Sequence, residues 1–460
     1  MLKKIPDTLA IVFSILVIMV LLTWIIPAGA FERTKLENGR EVVVAGTYHT
    51  TESHPQNAWD LLQAPLKGFE NAAAIIAFVI LVGGAFALVM STGAIDAGLI
   101  RIIRYTQTNR NKRQLMLGLL MLLFSVCGFT FGMSEESLVF VLMTIPMARS
   151  MGYDAVVGLA IPFVTSGVGG AAAAFNPFSV GVAMQISEIP FPSGVWLRTI
   201  VWLILTAITI VFILWYASRI EKNPEKSLTY GLKIPAQLSE VKDIEFNAQR
   251  LIVILLFVGA LVLVPIGATQ WDWWVVEIGA VFIGMGLLSV LVMRMRSSDI
   301  VSHFTNGAKG MLTAALVICI SRSVLIVAQD GQIIDTILFH LSNTISGLPK
   351  ALSIQVMFLV QGVINFFVPS GSGQAAITMP VMAPMADLLA LTRQSAVMAF
   401  QFSAGFFDLI IPTSGVTMGV LSIAGIPYNL WLKWIWKLVV IWIIVAMVFL
   451  AVTVNLVEWW

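Results

Sequence analysis

The strongest constraint on this chain is a set of long, nearly uninterrupted apolar runs: Leu9 to Ile26, Ala72 to Met90, Leu251 to Ile266, Trp274 to Met293, Met311 to Ala328 and Leu438 to Val454. A helix crossing a bilayer needs about 20 apolar residues. With no water in the hydrocarbon, each backbone N–H and C=O must also be satisfied within its own segment. Such runs therefore fold as membrane helices, and they lack the alternating stretches of about 10 residues that build a membrane barrel. Composition agrees: of 460 residues, 58% are hydrophobic and 11% charged, and mean hydropathy is +0.91, whereas soluble domains carry about 25% charge. The fold class expected is an all-α polytopic membrane protein.

A net charge of +2 with no dense basic face argues against nucleic acid as a partner. Cys127 and Cys319 both sit in apolar segments and form no redox or metal pattern. Lys3 and Lys4 before the first run imitate a signal peptide, but the run exceeds the usual h-region of about 7 to 15 residues. It reads as a retained first helix with a cytoplasmic N-terminus, in the cytoplasmic (inner) membrane.

Against this apolar background the polar interruptions carry the information. The run Gly128 to Ser137 places Ser134, Glu135, Glu136 and Ser137 between the apolar arms Leu115 to Val126 and Leu138 to Met147. Ionisable groups at membrane depth are costly and mark sites by default. Arms too short to span, joined by a flexible polar tip, read as a re-entrant hairpin (about 114–148). A second tip, Ser370, Gly371, Ser372, Gly373 and Gln374, lies in a second hairpin (about 352–389). Two helices carry proline breaks: one at Asn176, Pro177 and Ser179, the other at Pro412, Thr413, Ser414 and Thr417, four residues after Asp408. Arg322 interrupts the Met311 to Ala328 run and reads as a structural partner for an acid or for carbonyls. The cluster Arg101, Arg104, Arg110, Lys112 and Arg113 places the mouth of the first hairpin on the cytoplasmic side. Ile95 to Tyr105 reads as an amphipathic interfacial helix. Phe31 to Leu61 reads as an extramembrane loop.

The punctuation recurs. Gly93 pairs with Gly331 (331 − 93 = 238), Pro146-Met147-Ala148 with Pro384-Met385-Ala386 (384 − 146 = 238), and Pro177 with Pro412 (412 − 177 = 235). An odd number of spans separates the halves, so the repeats are inverted. The expected organisation is an N-terminal repeat over 1–218, a cytoplasmic linker over 219–250 and a C-terminal repeat over 251–460. Scaffold and transport parts interleave. Inverted repeats with broken helices meeting at the midplane point to a secondary transporter.

At Gly132-Met133-Ser134-Glu135-Glu136-Ser137 and Asn365 to Ala375 the chain resembles the anaerobic C4-dicarboxylate carrier C (DcuC) and YfcC-like family, in its arginine/ornithine exchanger branch. That resemblance implies an ion-transporter-superfamily carrier with a scaffold and a mobile domain, an elevator-like mechanism and a homodimer. The relatives that carry dicarboxylates use Ser-Asn-Thr at both unwound regions. Here those places read Phe175-Asn176-Pro177 and Pro412-Thr413-Ser414. Three acids, Glu135, Glu136 and Asp408, repel a dianion and attract a cationic or zwitterionic one. The expected substrates are amino acids, basic ones first, moved by exchange or with H+ or Na+ coupling. The runner-up is a C4-dicarboxylate or other carboxylate moved with coupled cations, and a channel is the alternative class. No cofactor is expected beyond a coupling ion, with Na+ near Asn176 and Thr413 the candidate site. No constellation of nucleophile and base marks an enzyme.

Overall fold

The computed structural model describes residues 8–35, 41–98, 101, 110–232, 244–271, 273–345 and 348–454. Lys3, Lys4, residues 233–243 of the linker and much of the expected Ile95 to Tyr105 helix lie outside them, although 94–98 are helical.

The first half runs α1 (Thr8–Ile25), α2 (Ala58–Asn71), α3 (Ala73–Ser91), α4 (Arg110–Phe131), α5 (Ser137–Ser150), α6 (Ala155–Ala171), a π-helical turn at Pro177–Gly181, α7 (Val182–Ile186) and α8 (Val195–Lys222). The second runs α9 (Ala248–Gln270), α10 (Val275–Val292), α11 (Ser297–Gly310), α12 (Leu312–Asp330), α13 (Ile334–Asn343), α14 (Lys350–Phe367), α15 (Gly371–Leu388), α16 (Arg393–Phe407), α17 (Gly415–Ala424) and α18 (Tyr428–Thr453). Among the described residues, eight helices are long and apolar enough to cross a membrane. The protein is a multi-pass, all-α membrane protein apart from two small antiparallel pairs, β1 (Gly29–Ala30) with β4 (His49–Thr50) and β2 (Arg33–Lys35) with β3 (Glu41–Val43).

Three local features depart from the sequence reading. The first arm, expected to be too short to span, is the 22-residue helix α4. Its apolar centre is as expected, but its polar first turn continues the helix, and Arg113 pairs with Glu221 of α8 at 3.2 Å. The stretch read as a loop as far as Leu61 becomes α2 at Ala58. Asn57 accepts from the Asp60 N–H while Asp60 accepts from the Asn57 N–H, a reciprocal cap that starts a helix regardless of its polarity. The polar run Ser297–Gly310, given no element, is likewise helical.

Close packing at small residues holds the bundle together, as expected where burial from water drives nothing. A β-carbon added to Gly128 would stand 2.0 Å from the Ser166 carbonyl oxygen, and one on Gly169 would stand 2.1 Å from that of Ser125. So α4 and α6 touch backbone to backbone. The helices that follow the two polar tips pack across the chain: α15 on α7 and the π turn, and α5 on α17.

Helix lengths also recur. α2 and α3 have 14 and 19 residues, and so do α11 and α12, with starts at equal separation (297 − 58 = 239; 312 − 73 = 239). Side-chain caps recur at Asp154 and Thr392 (392 − 154 = 238), and at Asn176 and Ser414 (414 − 176 = 238). By cap geometry Asn176 stands opposite Ser414, three positions from where the prolines alone would pair it.

Candidate substrate cavity

The first tip is built around Gly132. Its φ is +76°, a region that favours glycine, and an added β-carbon would stand 2.1 Å from the Asn176 amide nitrogen. The tip therefore lies against the first helix break. Within it, Glu136 turns back and accepts the Ser134 N–H at 3.1 Å, so part of its charge serves the tip's own backbone. Glu135 and Glu136 both line the cavity.

At the first break, Asn176 accepts the Phe178 and Ser179 N–H groups at 2.8 and 3.2 Å and donates to the Ser179 hydroxyl at 2.7 Å. Pro177 cannot donate a backbone hydrogen bond, and this cap reorganises the freed turn. A residue the sequence reading passed over completes the arrangement: Gln401 of α16 donates to the Gly170 carbonyl and, at 3.1 Å, to Ser179. A glutamine within a buried apolar helix was the available signal. The second tip joins the same place, since a β-carbon on Gly371 would lie 2.9 Å from that of Ser179.

At the second break, Ser414 caps α17 by accepting the Thr417 N–H at 3.3 Å. The Thr417 hydroxyl donates to the Asp408 carbonyl. Trp431 donates to the next carbonyl, that of Leu409, at 2.9 Å. The carbonyls exposed by the break thus find partners, as membrane depth requires.

These pieces enclose a cavity of about 220 Å³. It falls below the roughly 300 to 1,000 Å³ of drug-sized pockets and suits a small metabolite. Of the residues expected at the site, Ser134, Glu135, Glu136, Asn176, Ser179, Ser370, Gly371, Ser372, Asp408, Thr413 and Ser414 line it. Ser137, Gly373, Gln374 and Thr417 stand behind the wall. Ser137 meets Ser166 at 3.3 Å. The Gly373 N–H donates to Ser370 at 3.3 Å. Gln374 accepts from Asn365 at 2.9 Å and donates to Gln361 at 2.8 Å. They shape the tips and the break without lining the cavity.

Arg322, read as a structural residue, also lines the cavity. Among the described residues it closes no ion pair within 4.0 Å, yet it shares the cavity wall with Glu135 and Asp408. Nearby oxygens have unspent lone pairs, including Asp408 Oδ1, Thr413 Oγ1 and Gln401 Oε1. Carboxylate and hydroxyl oxygens are what a hard cation takes. The Asn176 oxygen, by contrast, is occupied by two N–H donors.

Two tips and two breaks thus close on a cavity lined by acidic, basic and hydroxyl side chains inside the helices of a multi-pass membrane protein. The chain belongs to the C4-dicarboxylate anaerobic carrier family, whose profile matches residues 5–455. It is 34% identical over 472 residues to a candidate basic amino acid antiporter of Escherichia coli K12, YfcC, covering 93% of this chain and 92% of that one. It is 27% identical over 498 residues to an uncharacterized protein of Haemophilus influenzae Rd, covering 98% and 97%. Two solved structures overlap loosely. The Alcanivorax borkumensis YdaH transporter is 13% identical at a TM-score of 0.44, covering 97% of this chain and 98% of that one. Neisseria gonorrhoeae MtrF is 14% identical at 0.44, covering 99% and 96%. The family and the named relative are carriers and antiporters, not enzymes.

Proposed function

We propose that this protein is an elevator-type secondary transporter that moves amino acids, basic ones first, across the cytoplasmic membrane by exchange or with H+ or Na+ coupling. The observation that carries this reading is the cavity's acidic lining: the carboxyl groups of Glu135, Glu136 and Asp408 against the single arginine, Arg322, among its lining residues. At about 8 Å and an effective dielectric near 20, each unbalanced charge is worth ~2 kcal/mol, repelling a dianion and holding a cation. The E. coli relative's name points the same way. The unspent oxygens of Asp408 and Thr413 are where a coupling ion would act.

In this reading the halves are inverted repeats, supported by the equal lengths and spacing of α2–α3 and α11–α12. The divisions are 1–218, the linker 219–250 and 251–460. The pairs α4–α5 and α14–α15 are re-entrant hairpins that open from opposite sides. With the broken helices they form the mobile part, while α1, α3, α9, α10 and α12 form the scaffold of a homodimer whose N-terminus is cytoplasmic. A second reading, a C4-dicarboxylate carrier, is favoured by the family's description and by an arginine in the cavity. In that case coupled cations would offset the acids.

Counterflow in liposomes tests the choice. Preloaded, unlabelled arginine or ornithine should accelerate uptake of the labelled amino acid, which a channel would not do. Uptake of labelled succinate without arginine or ornithine uptake, under imposed ion gradients, would overturn the amino-acid reading in favour of the dicarboxylate one.

A further inference from the structure

Arg322 belongs to α12, outside both tips and both breaks, yet its half-buried side chain opens onto the cavity that Glu135 and Asp408 also line. A guanidinium in a membrane helix is costly and is normally retained only with a partner or a task. A purely structural arginine would complete a bidentate bond with a carboxylate, the geometry its planar fork suits best. Arg322 stops short of that. It lines the same cavity as Glu135 and Asp408, and it closes an ion pair with neither among the described residues. The two acids come from opposite halves of the chain, one at the first tip and one at the second break. The arginine thus stands against the gap where the halves meet.

We infer that Arg322 is a built-in counter-cation: it balances Glu135 and Asp408 while the cavity is empty, and a cationic substrate takes over that balance when it binds. The inference rests on the proposed transport of basic amino acids and adds a determinant of charge selectivity to it. A fixed positive charge raises the potential at the acids, so it opposes a mobile cation that seeks the same place and favours an anion. The affinity measured for a basic amino acid is therefore weaker than the acids alone would provide. That competition keeps binding reversible, and a carrier must release what it binds. The substrate's carboxylate plays no essential part in this balance, because the pairing that changes hands is between cation and acids.

Equilibrium binding to the purified full-length protein tests the inference. Labelled arginine is the probe, and its decarboxylated amine and succinate are competitors. In the unmodified protein the amine should compete at least as well as arginine. Arg322→Gln should bind arginine about tenfold more tightly, within the range of ordinary coupling between sites, and Arg322→Lys should stay near the unmodified value. Weaker or unchanged arginine binding in a folded Arg322→Gln would overturn the inference, as would failure of the amine to compete. Either result would make Arg322 a ligand for the substrate carboxylate or a bystander. If Arg322→Gln does not fold, the amine competition decides alone. Absence of arginine and ornithine binding in the unmodified protein would instead overturn the proposed substrate class.

Discussion

Glu135 and Glu136 are adjacent in sequence but do different work, and the reason lies in backbone geometry. Side chains of consecutive residues in a helical turn point about 100° apart, so only one of the pair can turn back over the tip. Glu136 does so and accepts the Ser134 N–H, so part of its charge is spent on the tip, although both carboxyls line the cavity. Glu135→Gln should weaken binding of a cationic substrate about tenfold or more. Glu136→Gln should weaken it less, and should lower stability more, by roughly 1 kcal/mol for the lost charge-assisted bond. Binding isotherms and detergent melting curves measured on both variants check this, and matching profiles would contradict the division. Gln401 and Arg322 were harder to place from sequence. Each is a single polar residue in an apolar helix, and its meaning depends on which elements that helix touches.

At the scale of elements, the bundle depends on close backbone approach. Gly169 and Gly128 let α4 and α6 meet at carbonyl distance, which holds the first tip against the broken helix. Gly169→Leu would force these helices apart and should cost about 1–3 kcal/mol or more, as overpacking does. Gly259→Leu on α9 is the control, since an added β-carbon there meets nothing within 4 Å. Detergent melting midpoints compare the two, and an equal effect would remove the close-approach argument. The tips and breaks were legible in the sequence because proline, glycine and charge are conspicuous in apolar segments. α2 and α11 were not, because amphipathic and polar helices give no hydropathy signal. Only reciprocal capping at Asn57 and Asp60 marked the start of α2. Hydrogen bonds at the rim also join elements far apart in sequence. Arg393 at the start of α16 reaches Glu188, 205 residues away beyond α7, and also Asp387 near the end of the neighbouring α15, both at 2.8 Å.

At the scale of the whole molecule, the elevator reading makes a mechanical claim: the helix after the second break moves relative to α12. Gly415 and Ile318 lie across that boundary, and a β-carbon added to Gly415 would stand 3.6 Å from that of Ile318. This is near the spacing a disulfide needs, about 3.8 Å. With Cys127 and Cys319 replaced by Ser, a Gly415→Cys, Ile318→Cys protein should lose counterflow when oxidised and regain it on reduction. Full counterflow in the cross-linked protein would show that these elements do not move apart during transport. Binding should survive the cross-link, because the tips and breaks that line the cavity remain assembled.

The sequence by itself determined that the chain folds as helices apolar enough to cross a membrane, where those helices break, and which polar residues interrupt the apolar runs. These are local consequences of a solvent that leaves no backbone group unsatisfied. Which polar residues share a cavity was decided only by tertiary structure. Glu135 and Asp408 belong to opposite halves, Arg322 to a helix outside both tips, and Gln401 to α16. Their meeting depends on close contacts such as Gly371 against Ser179 and Gly132 against Asn176. Hydropathy records that a segment is buried; which neighbour buries it is set by the shape and packing of surfaces distant in sequence.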